Sequence, residues 1–378
     1  MSRPRVFIDG TCLATPNISG IGHTALEITR ALAAHRDIET VLLIPLGKKS
    51  TVEKHNIDGI KTKTMPFTKK MIALVNRSRF FPPMDLFIGK GVYLFPDYSN
   101  WPLLSSKSIT YIHDMAYELY PETLAPKNLS YIKNNIKVWV RRTDLIVTVS
   151  KSSKNDILDK LKVSSDKVKV VYNGVDHSVF YRRTKNEIET AKEKYGIESK
   201  YIIYVGNFEP RKNLPALVDA YIKLPHKHTS KYALLLVGSG GWLSEDIENT
   251  IKKSQESGFN IITPKSRVTD EDLPAIYSGA SVLVHPAIYE GFGLTLLQAM
   301  ACGTPVIAAN NSSLPEVVGN AGLLIDCKND TPIVKAITDV LENKSLRQKI
   351  IAAGNLQSKK MTWDKTATEL ANLIKNIT

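Results

Sequence analysis

The chain carries little that would tie it to a disulfide framework, a metal or a membrane span. Its 378 residues include three cysteines, Cys12, Cys302 and Cys327. They are odd in number and far apart, so no disulfide pattern or metal-ligand spacing follows, and a reducing cytoplasm is the expected location. No run of 18 apolar residues occurs, which argues against a spanning helix. The opening MSRPRVFIDG enters a strand-like segment without the apolar stretch of a signal peptide. Nucleic acid would suit the net charge of +13, yet no helix-turn-helix, zinc finger or aromatic-basic platform accompanies it, and no nucleic-acid partner is expected. The dinucleotide pattern G-x-G-x-x-G is incomplete: Gly20 and Gly22 are present, but Ala25 takes the third glycine position. No acidic residue stands at the tip of a clear second strand, which disfavours a nicotinamide oxidoreductase.

What is present is substantial. Apolar residues make up 43% and charged residues 23%, a composition that builds cores rather than disorder. The length predicts two domains of about 180 residues each. Short apolar runs alternate with amphipathic stretches throughout. VFIDG, TVLLIPL, YLFPD, SITYIHD, LIVTVS and VKVVYNG read as strands in the first half; YIIYVGN, ALLLVGSG, NIIT, ASVLVHP and TPVIAAN do so in the second. Helical patterns such as 25–34 and 214–224 separate them, so the expected fold class is α/β, with parallel sheets covered by helices on both faces. Domains are expected at 1–180 and 181–360, with the boundary in the polar stretch 178–198. A closing helix over 361–378 could pack on either one.

Charge is uneven. Residues 1–180 hold 26 Lys/Arg against 16 Asp/Glu, and residues 181–378 hold 24 against 21. Either this is a general lysine bias, or the first half faces something anionic, such as a phosphorylated acceptor or an acidic lipid surface. The basic and apolar segment Lys69–Phe81 reads as a solvent-backed helix or as an element touching lipid or an acceptor tail.

Three places carry candidate chemistry. The segment Gly206–Leu214, G-N-F-E-P-R-K-N-L, follows the first strand of the second half and leads into a helix. Arg211 and Lys212 therefore stand at the binding edge of a parallel sheet, where cations can hold a diphosphate. In His285–Leu294 a strand ends, a loop carries Glu290, and Gly291, Phe292, Gly293 and Leu294 lead into a helix whose first amides can hold an anion. Glu290 is either a helix cap or a carboxylate for sugar hydroxyls and positive character on a transferring sugar. Gln298 lies two turns further on, and its amide suits ribose hydroxyls. In the first half, His113 ends the YIHD strand and Asp9 ends the first strand. Two motifs are discounted: Asp270-Glu271-Asp272 reads as a helix cap with an acidic first turn rather than a metal site, and Asn311-Ser312-Ser313 as an idle glycosylation match.

In order, S-G-I-G-H, H-D-M-A, N-G-V-D, G-N-F-E-P-R-K-N-L, D-L-P-A-I-Y-S-G-A and P-A-I-Y-E-G-F-G-L…A-M-A-C-G-T-P-V-I-A closely resemble the retaining glycosyltransferases of family 4. That group includes bacterial mannosyl- and rhamnosyltransferases of polysaccharide assembly. The resemblance covers nearly the whole chain. It implies the GT-B fold, two Rossmann-like domains facing each other across a deep cleft, and transfer of a hexose from a nucleotide sugar to a glycan or lipid-linked glycan. GDP-mannose is the first donor expected, UDP- or dTDP-sugars the alternatives. No cofactor or divalent metal is expected, and peripheral contact with an anionic membrane would suit a lipid-linked acceptor.

By the same resemblance Lys212 and Arg211 hold the donor diphosphate, and Glu290 approaches the donor sugar. Amides around Phe292–Leu294 bind sugar or phosphate oxygens, and residue 298 meets the ribose. The base lies near Arg267 and Val268. Gly20–Gly22 closes near the diphosphate, and His113 sits near the transferring sugar. Two departures stand out. Gln298 replaces the second glutamate of the family's E-x7-E spacing, and Asn207 stands where many members carry a phosphate-binding arginine. Both leave open a weakened, nucleotide-sugar-binding protein. An epimerase or a phosphorylase would share the outline, but lacks its carboxylate pair or its Schiff-base lysine context here.

Overall fold

The computed structural model describes residues 3–75, 82–238, 240–241 and 243–378. Two compact units emerge. One comprises 1–119, 126–173 and 363–378, the other 120–125 and 174–362. The divide thus falls at 173–174, a few residues before the position read from composition, because the last strand of the first sheet ends at Val170.

In the first unit the strands are β1 (Arg5–Asp9), β2 (Glu39–Ile44), β3 (Lys61–Thr64), β4 (Val92–Phe95), β5 (Lys107–Tyr111), β6 (Leu145–Thr148) and β7 (Val168–Val170). They form a parallel sheet in the order β3-β2-β1-β4-β5-β6-β7. Near-continuous Val, Ile, Leu and aromatic runs build its centre because both faces are covered, as in β4, where all four residues are buried. One core cluster joins Phe7, Val41, Leu43, Met65, Tyr93, Phe95 and Trp101. The helix Gly20–Ala34 follows β1 and packs against the final helix, Trp363–Ile377. That final helix buries Trp363, Ala367, Leu370 and Ile374 along one stripe, and Thr366 Oγ1 donates to the Tyr172 carbonyl at 2.7 Å. Of the Lys69–Phe81 segment, Lys69–Val75 is helical, and residues 76–81 lie outside the described residues.

The second unit repeats the plan. Strands β8 (Lys200–Val205), β9 (Tyr232–Val237), β10 (Ile261–Ile262), β11 (Val282–His285), β12 (Val306–Ala309) and β13 (Leu323–Ile325) form a parallel sheet in the order β10-β9-β8-β11-β12-β13. In both sheets the chain reverses its direction of travel across the sheet beside the first strand: between β1 and β4, and between β8 and β11. At such a switch point the crossovers diverge and leave a crevice beyond the carboxyl ends of the strands. At the end of β8 the loops come very close. The Gly206 amide donates to the Val237 carbonyl at 2.9 Å, and a Cβ on Gly238 would lie 2.0 Å from the Gly206 oxygen. Only glycine fits there.

Candidate active site

The switch point between β8 and β11 gathers the strongest charges. After β8 the chain makes a short 3-10 turn, Pro210–Lys212, and Asn213 takes the left-handed conformation (φ 57°) before the helix Leu214–Ile222 begins. This turn presents Arg211 and Lys212. After β11 the loop 286–293 carries Glu290, and Gly293 (φ 104°) opens the helix Leu294–Ala301 without a side-chain cap. The positive φ favours glycine, and the helix start leaves its first amides without intrahelical acceptors.

Glu290 links the two loops. Lys212 Nζ donates to its Oε1, Arg211 Nη1 donates to its Oε2 at 3.2 Å, and His285 Nε2 donates to Oε1 at 2.9 Å. Arg211 Nη1 also donates to the Tyr289 carbonyl at 2.7 Å. The side chains of Lys212 and Arg211 are 15% exposed and that of Glu290 10%, so this cluster is largely out of water. Burial opposes ionisation of Glu290, but the charges of Lys212 and Arg211 and the His285 hydrogen bond outweigh it and hold its carboxyl well below the usual range.

The loops are stapled by neutral groups. Asn213 Nδ2 donates to the carbonyls of Pro286 at 3.2 Å and Cys327 at 3.0 Å, tying together the segments after β8, β11 and β13. The Ile288 amide donates to the Arg211 carbonyl at 3.0 Å. The Glu290 amide donates to Ser312 Oγ at 3.0 Å, and Ser313 Oγ donates to the carbonyls of Glu290 and Phe292 at 2.9 and 3.0 Å. Asn311-Ser312-Ser313, which the sequence reading set aside, is therefore the backbone clamp of the Glu290 loop. His285 is the other residue the reading missed; its ring stacks on Tyr204, 6.1 Å between centroids at 12°. The signal available was position: His285 ends β11 and Asn311–Ser313 follow β12, at the same sheet edge.

Other expected residues are spread more widely. Gln298 is half-buried, and its Oε1 accepts from the Tyr277 hydroxyl at 3.3 Å. Asn207 is exposed and donates to Glu209 Oε1 at 3.3 Å. Arg267 is exposed and Val268 buried, in the loop after β10 at the sheet's far edge. Asp272 stands at a helix start without capping it. Its Oδ2 instead accepts from Lys194 Nζ at 2.6 Å and Tyr195 OH at 2.7 Å, and the helix has no acidic first turn; the capping expectation for Asp270–Asp272 is corrected accordingly. Among the described residues no group of three or more His, Cys, Asp or Glu is placed to hold a metal ion.

Gly20, Gly22 and His113 belong to the first unit. The helix after β1 starts at Gly20, five residues before the 25–34 pattern, because Ser19 Oγ accepts from the Gly22 amide at 3.3 Å and caps it. A Cβ on Gly22 would lie 2.7 Å from Ile18 Cβ, while one on Gly20 would meet nothing within 4 Å. Gly22 is thus needed for packing and Gly20 is open. His113 is buried and donates Nε2–H to the Pro96 carbonyl at 2.8 Å, stacked on Tyr111. Near the end of β1, burial pushes Asp9 up to about 6 against two hydrogen bonds from Thr11 and with Asp97 close by.

Comparisons with known proteins agree with this fold. Residues 187–357 match the model of Glycosyl transferases group 1, and residues 18–179 that of Glycosyltransferase Family 4. The chain is 30% identical to O-antigen chain mannosyltransferase B of Escherichia coli over 95% of its own length and 96% of that protein's. It is 28% identical to O-antigen chain mannosyltransferase RfbU of Salmonella typhimurium over 63% of its length and 62% of that relative's. Among solved structures, sucrose-phosphate synthase from Thermosynechococcus elongatus superposes with a TM-score of 0.76 at 17% identity, covering 99% of both chains. With both halves matched and one relative aligned nearly end to end, the chain belongs to the group 1 glycosyltransferases, and its two Rossmann-like domains are those of the GT-B fold.

Proposed function

We propose that this glycosyltransferase moves a mannosyl group from GDP-mannose to a hydroxyl of a glycan or lipid-linked glycan, with retention of anomeric configuration and without a divalent ion. The observation that carries the reading is the pairing of Arg211 and Lys212 with Glu290 at the β8/β11 switch point. Two cations there suit a diphosphate, and a carboxylate beside them suits sugar hydroxyls. The mannosyl assignment leans on the mannosyltransferase relatives; UDP- and dTDP-sugars are the alternatives for the base.

In the proposed step the acceptor oxygen forms its bond to the sugar C1 as the bond from C1 to the diphosphate oxygen breaks. The acceptor's proton passes to the departing phosphate on the same face, and nucleoside diphosphate leaves. Lys212 and Arg211 stabilise the charge that develops on the leaving group, and the clamped loops keep them in place without reorganisation. Gln298 is assigned to the ribose, with the Tyr277 hydroxyl steadying its amide. Arg267 and Val268 are assigned to the base, the amides at Gly291–Leu294 to donor oxygens, and Gly20, Gly22 and His113 to the donor from the first domain. Asn207 supplies a polar edge in place of a charge.

An anionic membrane is the proposed setting of a lipid-linked acceptor. Leu74, Leu86 and Leu104 of the first unit are 69%, 62% and 67% exposed, and Lys70 and Lys90 near them in sequence are exposed too. Among the described residues no helix is long and apolar enough to cross a membrane.

The test is thermal stabilisation by GDP-, UDP-, dTDP- and ADP-sugars with EDTA present, followed by turnover with the sugar that binds. Lys212→Ala should lower turnover at least about a hundredfold with the fold retained. Near-normal turnover in that variant removes Lys212 from the chemistry. No stabilisation by any sugar nucleotide, with or without Mg²⁺, would sink the donor-site reading.

A further inference from the structure

We propose that Glu290 is the internal counter-ion of the Arg211–Lys212 pair, and that the donor diphosphate binds by taking its place. The inference rests on the donor-site reading above and adds a step to it. In the structure both carboxylate oxygens of Glu290 are committed, Oε1 to Lys212 and His285, Oε2 to Arg211. All three charged side chains are mostly buried. Two mostly buried cations left there without the Glu290 carboxylate would be costly, because little water reaches them to replace it. Glu209 is a weaker partner, with its Oε2 3.8 Å from Arg211 Nη2.

A diphosphate arriving at this turn needs the same donors that now serve the carboxylate. It carries more negative charge than Glu290 and can satisfy both cations, so the carboxylate is released rather than the site enlarged. The release is confined to the side chain. The Glu290 backbone is held from both sides by Ser312 and Ser313, and the Arg211 backbone by the Ile288 amide. The freed carboxylate keeps one tether, the His285 Nε2–H. His285 is anchored on β11, 2% exposed, against the Tyr204 ring. It is a positioning residue that fixes where the released carboxylate can go, toward the bound sugar next to the phosphates. The exchange therefore arms Glu290 for the sugar only when the diphosphate is in place.

The consequence runs against the usual expectation for a site residue. Glu290→Gln keeps the size but removes the competing charge and turns one of the two accepting oxygens into an NH2 donor, so nucleoside diphosphate should bind more tightly to the variant than to the natural protein. The experiment is calorimetric titration of full-length protein with GDP, UDP, dTDP and ADP, and with inorganic pyrophosphate. The natural chain, Glu290→Gln and Lys212→Ala are compared well below their melting temperatures. Expected is at least about tenfold tighter binding of the selected diphosphate by Glu290→Gln and about tenfold weaker binding by Lys212→Ala, with turnover falling in both. If Lys212→Ala weakens binding but Glu290→Gln binds equally or less well, the exchange is refuted and the donor site stands. If no diphosphate binds the natural chain or Glu290→Gln, the exchange falls together with the donor-site reading. His285→Phe keeps an aromatic ring on Tyr204 but removes the tether. It should leave diphosphate affinity within about twofold and lower kcat for the donor sugar; unchanged kcat would overturn the positioning role.

Discussion

Asn213 offers a direct measure of how firmly the Arg211–Lys212 turn is held. It combines a left-handed backbone at φ 57° with two hydrogen bonds from one amide nitrogen, to the carbonyls of Pro286 and Cys327. Replacement by glycine keeps the conformation accessible and deletes both bonds. At roughly 1 kcal/mol for each bond, Asn213→Gly should cost about 2 kcal/mol. Replacement by alanine deletes the same bonds and adds a Cβ to a left-handed residue, for a further 1 kcal/mol or so. Urea denaturation at 25 °C should therefore rank natural chain, glycine and alanine variants in that order, with unchanged slopes. Because the staple joins the loops after β8, β11 and β13, diphosphate affinity should fall in both variants although neither touches a charge. Two results would refute the reasoning: both variants within about 0.5 kcal/mol of the natural chain, or alanine no worse than glycine.

Asp9 makes a pH prediction. Burial raises its folded value from 3.8 to about 6, so the folded chain holds this proton more tightly than the unfolded one. Its contribution is fully favourable below about 3.8 and is lost as pH rises through about 6, an effect of roughly 3 kcal/mol if nothing else relaxes. Asp9→Asn can still accept from Thr11 and should be more stable than the natural chain at pH 8, with the gain vanishing near pH 4; equal denaturation midpoints at pH 8 would contradict this. At the surface, the triple variant Leu74→Ser, Leu86→Ser and Leu104→Ser should keep its melting temperature. It should also lose most of its co-sedimentation with vesicles containing anionic lipid, and undiminished sedimentation would remove these leucines from membrane contact.

Much of the architecture was legible because buried parallel strands leave apolar runs that no surface element needs. Eleven strands coincide with such runs. The two that escaped, β3 and β13, explain why. KTKT of β3 is exposed along its whole length on the sheet's edge, and the three residues of β13 are only half-buried. β3 therefore need not be apolar, whereas β13 is an apolar run, Leu-Leu-Ile, that at three residues is too short to stand out. At the site, Arg211, Lys212 and Glu290 were readable because charges placed just after strands stand out against the apolar background. Their mutual pairing was not, since it joins residues 78 and 79 apart in the chain. The same holds for Ser312, Ser313 and Asn213, whose roles lie in hydrogen bonds to a loop more than twenty residues away. Asp272 shows the opposite failure: an acid next to a helix start looks like a cap, but Pro274 has no N–H to offer it and the Ala275 amide already donates to the Asp272 carbonyl, so the carboxylate pairs with Lys194 and Tyr195 instead.

The two sheets share one strand order but hold opposite charges at their switch points, and that difference bears on the charge imbalance in the sequence. Beyond β8 and β11 stand Arg211 and Lys212 with Glu290. Beyond β1 and β4 stand Asp9 and Asp97; the Asp97 charge adds to the burial that raises Asp9, with Lys69 as a partial offset. A diphosphate placed among those acids would be repelled, whereas hydroxyls would be received as donors to the carboxylates. The excess of lysine and arginine in residues 1–180 therefore does not serve that crevice. It lies on exposed elements instead, such as β3, the start of the helix Lys49–Glu53 and Lys90. There a net positive field, partly offset by the Lys61–Glu39 and Lys49–Glu53 pairs, acts over about a Debye length and suits an extended anionic surface better than a single ligand. On this division of charge, the proposed roles separate: donor phosphates to the second sheet, hydroxyl recognition to the end of β1, and attraction to an acidic surface to the outside of the first domain. Raising salt from 0.05 to about 0.5 M should then weaken vesicle binding steeply while changing diphosphate affinity at the buried Arg211–Lys212 pair much less. Equal salt slopes for the two would place the basic surplus and the donor site in one field and undo the separation.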